Sequence, residues 1–494
     1  MKHLILSLAT AACGFLPIQA QDNPPTPIPP LPSQNQIEWQ QMESYAFIHF
    51  GLNTFNDSEW GYGDAPAESF NPSRLDCEQW ARTVKAAGMK GIILTAKHHD
   101  GFCLWPTQFT DYCIRNTPYK EGKGDIVGEL AAACRKYGLR MGLYLSPWDR
   151  HQAFYGSPLY VEYFYAQLNE LLTQYGDLFE VWFDGANGGD GWYGGTKETR
   201  TIDRRTYYDF PRAWKTVAEL QPRAVIFSDG GPGCRWVGNE KGYAFATNWS
   251  LLRGGEVYPG YEKYQELQHG HADGDTWVPA ECDVSIRPGW FYHEREDTLV
   301  KTVEQLVDLY YRSVGHNATQ LINFPVDKEG LIHPIDSARA VEAHRQICQE
   351  LKTNLLKGAK VKASATRNGN SFSTSRLTDD DFNTYWATPD GVTTATLTFT
   401  FRKPTRMNRL KLQEYIPLGQ RVERFQVEYL DGKVWTPIDA QEETTTIGYQ
   451  RLLRFKNIRT RQLRVRFLQA RGPLCISEVG AYYAPSVPKT SKNK

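Results

Sequence analysis

Phe179-Glu180-Val181-Trp182-Phe183-Asp184-Gly185 is an apolar and aromatic run that closes on a carboxylate and a glycine. It reads as a β-strand whose final acid stands at the C-terminal mouth of a parallel sheet. Similar segments flank it on both sides. Strands are predicted at 45–50, 91–96, 140–146, 178–184, 224–228 and 319–324, and helices at 76–87, 125–137, 160–175, 205–220 and 336–351. Strands separated by helices must run parallel, so the class is α/β and the expectation is a (β/α)8-like TIM barrel over residues 36–355. The Gly- and Trp-rich stretch 229–293 interrupts the alternation and is expected to supply loops at the barrel mouth.

After residue 357 the pattern becomes short alternating runs at 361–366, 395–401, 409–414, 425–430, 451–455, 463–467 and 476–482, which predicts an antiparallel β-sandwich over 356–485. The tail 486–494 is expected to be disordered. At the other end, Lys2 and His3 precede an apolar stretch and a small residue at Ala20, the pattern of a secretory signal peptide over 1–20 and hence of an exported, periplasmic or secreted protein. Thr10-Ala11-Ala12 before Cys13 lacks the leucine usual in a lipidation motif, which argues against a lipoprotein anchor. The Pro-rich stretch at 21–35 reads as an extended tether.

Lys+Arg and Asp+Glu both total 56, so neither a basic nucleic-acid footprint nor a polybasic membrane patch is present, and no run has the length of a transmembrane segment. Beyond Cys13 in the expected signal peptide, the eight remaining cysteines show no zinc-like clustering; scattered buried thiols are expected, with a Cys103–Cys113 disulfide as an alternative.

An acid two residues after a tryptophan suits carbohydrate chemistry, because a carboxylate can attack or stabilise an oxocarbenium-like centre while the ring supports an apolar sugar face. Alone, Asp184 could equally cap a turn. Histidines strengthen the functional reading: His49 ends the first predicted strand, and His98 and His99 follow the second in Lys97-His98-His99-Asp100-Gly101-Phe102. Neighbours on an extended strand point to opposite faces, which makes His98 and His99 poor joint ligands for one metal ion. Glycoside hydrolysis needs a second carboxyl, and Glu240 and Glu281 are the candidates; each could instead pair with a nearby arginine, Arg235 or Arg287.

Several motifs in order, Phe47-Ile48-His49-Phe50-Gly51, Glu59-Trp60, Lys97 to Phe102, Val181 to Gly185, Arg235-Trp236-Val237-Gly238-Asn239-Glu240, Ser285 to His293 and Leu321-Ile322-Asn323-Phe324-Pro325, resemble the α-L-fucosidases of glycoside hydrolase family 29. The Trp236 to Glu240 loop and Arg287 to His293 are most similar to the subgroup that cleaves α-1,3 and α-1,4 fucosyl branches of Lewis-type glycans. The resemblance implies Asp184 as nucleophile and Glu240 as acid/base. It also implies His49, Glu59, Trp60, His98, His99, Tyr144, Trp182 and Trp290 around a fucose ring, with Glu281, Asp283 and Arg287 toward the leaving group. Fucosylated oligosaccharides or glycoconjugates would be the substrates and no metal cofactor is required.

The segment 188–202 looks longer than usual, which keeps Glu281 as a second candidate for acid/base. The sandwich resembles a discoidin-like, galactose-binding-type module, and its Asp379-Asp380-Asp381 run could either hold a structural calcium or shape a turn. Three other readings stay open: a broad-specificity fucosidase, a non-catalytic glycan-binding protein, and a metal-dependent hydrolase using His98, His99 and Asp100.

Overall fold

The computed structural model describes residues 23–485; the expected signal peptide and C-terminal tail lie outside the described residues. Eight parallel strands close a barrel: β1 (Ser44–His49), β2 (Gly91–Lys97), β3 (Arg140–Leu145), β4 (Leu178–Trp182), β5 (Val225–Ser228), β6 (Cys234–Trp236), β7 (Ala280–Ser285) and β8 (Ala318–Pro325). Closure is made by β8 against β1, in a register running from Ser44 opposite Gln320 to His49 opposite Pro325.

Side chains alternate along each strand. Tyr45, Phe47, Ile93, Tyr144, Trp182, Phe227 and Leu321 fill the interior. Ala46, Ile48, Ile92, Leu94, Val181 and Ile322 face outward into the layer under the helices.

Besides a single turn at Leu52–Phe55, the helices are α1 (Gln34–Gln40), α2 (Cys77–Ala86), α3 (Ile126–Tyr137), α4 (Pro158–Gln174), α5 (Phe210–Leu220), α6 (Val303–Arg312) and α7 (Pro334–Glu350). Their starts follow capping chemistry: Asp76 accepts from the Gln79 N–H at 3.0 Å, Asp125 from Gly128 at 2.9 Å, and Thr302 forms a capping box with Gln305. Gly138, with φ of 69°, ends α3 in the left-handed conformation that glycine adopts without steric cost.

Between Leu220 and Val303 the described residues contain no α-helix, and β5 passes into β6 through the short bend 229–233. The expected sequence pattern fails here because β6 is only three residues long and begins level with the end of β5. Arg235 on β6 is fully buried and organises the irregular region. Its guanidinium donates to the carbonyls of Leu267 (3.0 Å), Trp249 (3.0 Å) and Val278 and to Asn248 Oδ1 (2.8 Å). It is therefore engaged away from Glu240.

The second unit is an antiparallel sandwich. Its strands are β9 (Lys360–Ala363), β10 (Trp386–Ala387), β11 (Ala395–Glu414), β12 (Val422–Asp431), β13 (Val434–Pro437), β14 (Arg451–Ala470) and β15 (Cys475–Tyr482). The paired runs expected at 395–401 and 409–414, and at 451–455 and 463–467, are halves of the two long strands β11 and β14. Register shifts between Thr400 and Thr405 and between Met407 and Arg409 break their ladder.

Polar contacts join the two units. The Ser250 N–H donates to Gln420 Oε1 (2.8 Å), the Tyr449 N–H to Asn317 Oδ1 (2.7 Å), and Arg454 pairs with Asp308 (2.7 Å). The Pro-rich segment is not a free tether. The Ile28 N–H donates to the Leu418 carbonyl (2.9 Å), and Arg421 and Arg367 donate to the Thr26 and Asn23 carbonyls (both 2.7 Å), so it is strapped to the sandwich. No helix of the described residues is long and apolar enough to cross a membrane. All eight described cysteines are unpaired, Cys103 and Cys113 included, and only Cys348 is exposed.

Candidate active site

Asp184 follows β4 at the mouth, with its side chain 24% exposed. The Tyr144 hydroxyl donates to its Oδ2 (3.1 Å) and the Ala186 N–H to its Oδ1 (2.7 Å), and His99 Nε2 lies 3.8 Å from Oδ2. Donors on both oxygens fix the direction of the carboxylate.

His98 and His99 both reach the mouth, their ring centroids 4.2 Å apart. Strict alternation would have separated them. A register shift between Thr95 and Lys97 against β3 turns the strand end and brings them together. Burial keeps all three mouth histidines neutral: it pushes His49 down to about 3, His98 well below the usual histidine range, and His99 down against the opposing charge of Asp184.

The hydrogen bonds then define what His99 offers. The Ser146 hydroxyl donates to the Trp148 carbonyl (2.7 Å), so His99 Nδ1, 2.7 Å from Ser146 Oγ, must carry the hydrogen of that contact. This leaves His99 Nε2 as an acceptor for a ligand hydroxyl. His98 Nδ1 has no protein partner. His49 Nδ1 is 2.9 Å from Asn323 Oδ1, and the Asn323 amide donates to Ser285 Oγ (3.0 Å) and the Trp290 carbonyl (2.9 Å). Asn323 and Ser146 were not anticipated as supports. A polar asparagine inside an otherwise apolar strand run was the signal for the first.

Trp290 links two acids. Its backbone N–H donates to Glu59 Oε2 (2.8 Å) and its indole N–H to Glu240 Oε2 (3.2 Å), while Glu59 also accepts from Phe291 N–H (3.1 Å) and lies 2.7 Å from His293 Nε2. Glu59 therefore anchors the loop that carries Trp290. Glu240 sits at the exposed rim. Loss of water on its pocket side, then the charges of Asp184 and Glu59, hold its carboxyl above the usual glutamate range, against the opposing Trp290 N–H. Trp290→Phe removes that N–H, so the Glu240 proton is held more tightly. The alkaline limb of kcat/KM is expected to move to higher pH, and an unmoved or downward-shifted limb in a full pH profile would refute this coupling.

Trp60, 54% exposed, stands edge-on to His99 with centroids 5.0 Å apart. Arg150 holds its loop by donating to the Trp60 and Gly61 carbonyls (2.8 and 3.0 Å), and it reaches the Asp190 carbonyl (2.8 Å) on the hairpin Gly188–Gly191/Glu198–Thr201. The long segment 188–202 is thus a buttress for the rim. Trp182 forms the floor, stacked on Phe227 at 3.9 Å.

The residues expected on the leaving-group side separate. Asp283 faces the mouth, accepts from the Trp236 indole (3.0 Å), and is held well above the usual aspartate range by burial and by the charges of Glu240 and Glu281. Glu281 lies one inward step deeper, fully buried, bound by the Trp182 indole (2.8 Å) and the Tyr45 hydroxyl beside Glu180. That depth removes it from the position an acid/base needs. Arg287 is also not at the mouth: it is buried in ion pairs with Asp336 (2.8 Å) and Asp297 (2.7 Å).

Glu180, Cys234 and Glu281 have donor atoms within 4.8 Å of one another. Trp39, Tyr45 and Trp182 already satisfy these carboxylates, and burial pushes Glu180 up to about 7, so a shared proton accounts for the pair. In the sandwich, Asp379 accepts from Thr384 (2.7 Å) and Asp381 from the Asn383 N–H (3.0 Å), while Asp380 pairs with Lys357.

An eight-stranded barrel with an oriented carboxylate, a second carboxyl disposed to keep its proton, and neutral imidazoles among aromatic rings defines a glycoside hydrolase. The comparisons with known proteins make this specific. Residues 30–344 match the α-L-fucosidase family model and residues 360–479 the F5/8 type C domain. Alpha-L-fucosidase 1 of Arabidopsis thaliana is 41% identical over 464 residues, covering 93% of this chain and 88% of the relative. A glycoside hydrolase 29 family member from an unknown rumen bacterium superposes with a TM-score of 0.84 at 45% identity, over 94% of this chain and 79% of that one. A Ruminococcus gnavus GH29 fucosidase in complex with fucose superposes with a TM-score of 0.84 at 34% identity, over 94% and 97%. The chain belongs to the α-L-fucosidase family, glycoside hydrolase family 29, and carries a C-terminal discoidin-like domain.

Proposed function

We propose that this α-L-fucosidase is a retaining exo-enzyme that removes α-1,3- and α-1,4-linked fucose from Lewis-type oligosaccharides or glycoconjugates. The observation that carries the reading is the pair of unlike carboxyls: Asp184 aimed by the hydrogen bonds of Tyr144 and Ala186, and Glu240 held toward its protonated form at the rim. Asp184 attacks the anomeric carbon as Glu240 donates its proton to the departing oxygen. Water then displaces Asp184 from the fucosyl-enzyme, with Glu240 as the base, and configuration is retained.

In this reading the neutral acceptor Nε2 of His99 takes a hydrogen from a fucose hydroxyl, and Trp182 and Trp290 border the C6 methyl. Asp283 and Trp236, beside Glu240, face the sugar that departs. The N-terminal pattern of the sequence supports export. The test is fucose release from a Lewis-type trisaccharide beside an aryl α-L-fucoside: strong preference for the branched sugar supports the assignment, equal or better use of the aryl substrate points to broad specificity, and release from neither by folded protein overturns the reading.

A further inference from the structure

We propose that the cleft between barrel and sandwich is a second saccharide-binding site, separate from the mouth. It encloses about 630 Å³, within the ~300–1,000 Å³ of small-molecule sites, and is lined by Phe245, His269, Arg312 and His316 from the barrel and Gln441 and Glu443 from the sandwich, among others.

Its chemistry selects the ligand class. Phe245 leaves 44% of its surface exposed, and its nearest aromatic neighbour is the His269 ring, 6.4 Å away and inclined by 26°. It offers an apolar face of the kind that receives the C–H side of a pyranose. His316 is only 5% exposed, its Nδ1 lies 2.8 Å from the Ala244 carbonyl, and its Nε2 has no partner. Because a carbonyl only accepts, Nδ1 carries the hydrogen and Nε2 is left as a bare acceptor, itself buried, in a residue that lines the cleft. The Glu443 carboxylate has no ion-pair partner among the described residues, adding a second acceptor.

Donors face these acceptors. Arg312 lies 4.0 Å over the Tyr243 ring and 3.7 Å from Asp308, a single long ion pair that does not occupy all its N–H groups, and Gln441 lines the same cleft. Arg312 and Arg454 are balanced in the lining by Glu442 and Glu443, so the cleft favours neither an anion nor a cation, and a purely apolar molecule would leave Arg312 and Glu443 unmatched. A neutral ring bearing several hydroxyls satisfies the aromatic face, the acceptors and the donors together.

The cleft also shares a segment with the mouth. Asn239, next to Glu240, donates to Gln268 Oε1 (3.3 Å), and the Phe245 N–H donates to the Gln268 carbonyl (3.1 Å). A glycan seated in the cleft therefore contacts the chain that carries Glu240.

The probe is N-acetyllactosamine, which has no fucose to hydrolyse, titrated into the full chain by calorimetry and saturation-transfer NMR. Saturable binding is expected, weakened about tenfold or more by Phe245→Ala and several-fold by Glu443→Gln, with Tm and aryl α-L-fucoside hydrolysis unchanged in both. No saturable binding, equal affinity in both variants, or loss with Trp290→Ala instead would overturn the proposal. Aryl α-L-fucoside turnover reports on the mouth independently, so failure of the fucosidase reading and failure of the cleft are distinguished.

Discussion

Alanine in place of Asp184 is expected to lower kcat on an aryl α-L-fucoside by about 10⁴-fold or more, because no fucosyl-enzyme can form and only binding and the remaining polar groups act. The fold should survive, since the carboxylate makes two local hydrogen bonds at a loop and fills no core space. Added azide has room where the carboxylate stood and attacks from that side. The expected product is a fucosyl azide of inverted configuration, read by NMR. A variant that keeps more than about a tenth of wild-type kcat would remove Asp184 from the role of nucleophile. Asp229 is the control: burial pushes it up to about 7 and the Gly260 N–H binds it at 2.6 Å, so Asp229→Asn, which keeps an acceptor for that N–H, should lower kcat far less than Asp184→Ala.

Glu240→Gln should split substrates by leaving group. A sugar leaving group needs the donated proton, so fucose release from a Lewis-type trisaccharide is expected to fall by about 10²–10⁴-fold. A dinitrophenyl leaving group departs without a proton. Its first step should be nearly preserved, and a burst followed by slow turnover should appear because the base is also missing. The alkaline limb of kcat/KM should vanish at the same time, since that limb is the loss of the Glu240 proton. Equal losses on both substrates would contradict this role. The same comparison on Asp283→Asn would then decide whether the neighbouring buried acid donates the proton instead.

Much of the barrel was legible because its outward strand positions and its helices carry strong periodic signals, as in Gly91–Lys97 and Ile126–Tyr137. The three-residue β6 was not, since no period can be read from Cys234–Trp236. Helix α6 went unrecognised even though Thr302 and Gln305 spell a capping box. At the mouth, residue type alone pointed to Asp184 and the histidines, but depth is a tertiary quantity. Glu281 and Asp283 are two positions apart on one strand face, and only the barrel shows that the first is a step below the second. Arg287 has the same parity, but it lies two residues past the end of β7 at Ser285 and pairs with Asp336 instead of facing the mouth. The joint placement of His98 and His99 depends on a register shift that sequence alternation does not encode.

The strap formed by residues 23–32 gives the molecule a second seam. Beside the direct polar contacts, the chain itself links the two units twice: through the covalent segment 351–359, and from the sandwich contacts of Asn23, Thr26 and Ile28 into α1, where the Gln36 amide donates to the Gly233 and Trp277 carbonyls (2.7 and 2.8 Å). The chain is thus a belt buckled back upon itself. A nick in the 351–359 segment opens one side of the loop and leaves the halves buckled at the other, while loss of the first dozen described residues unfastens the belt without touching a single site residue.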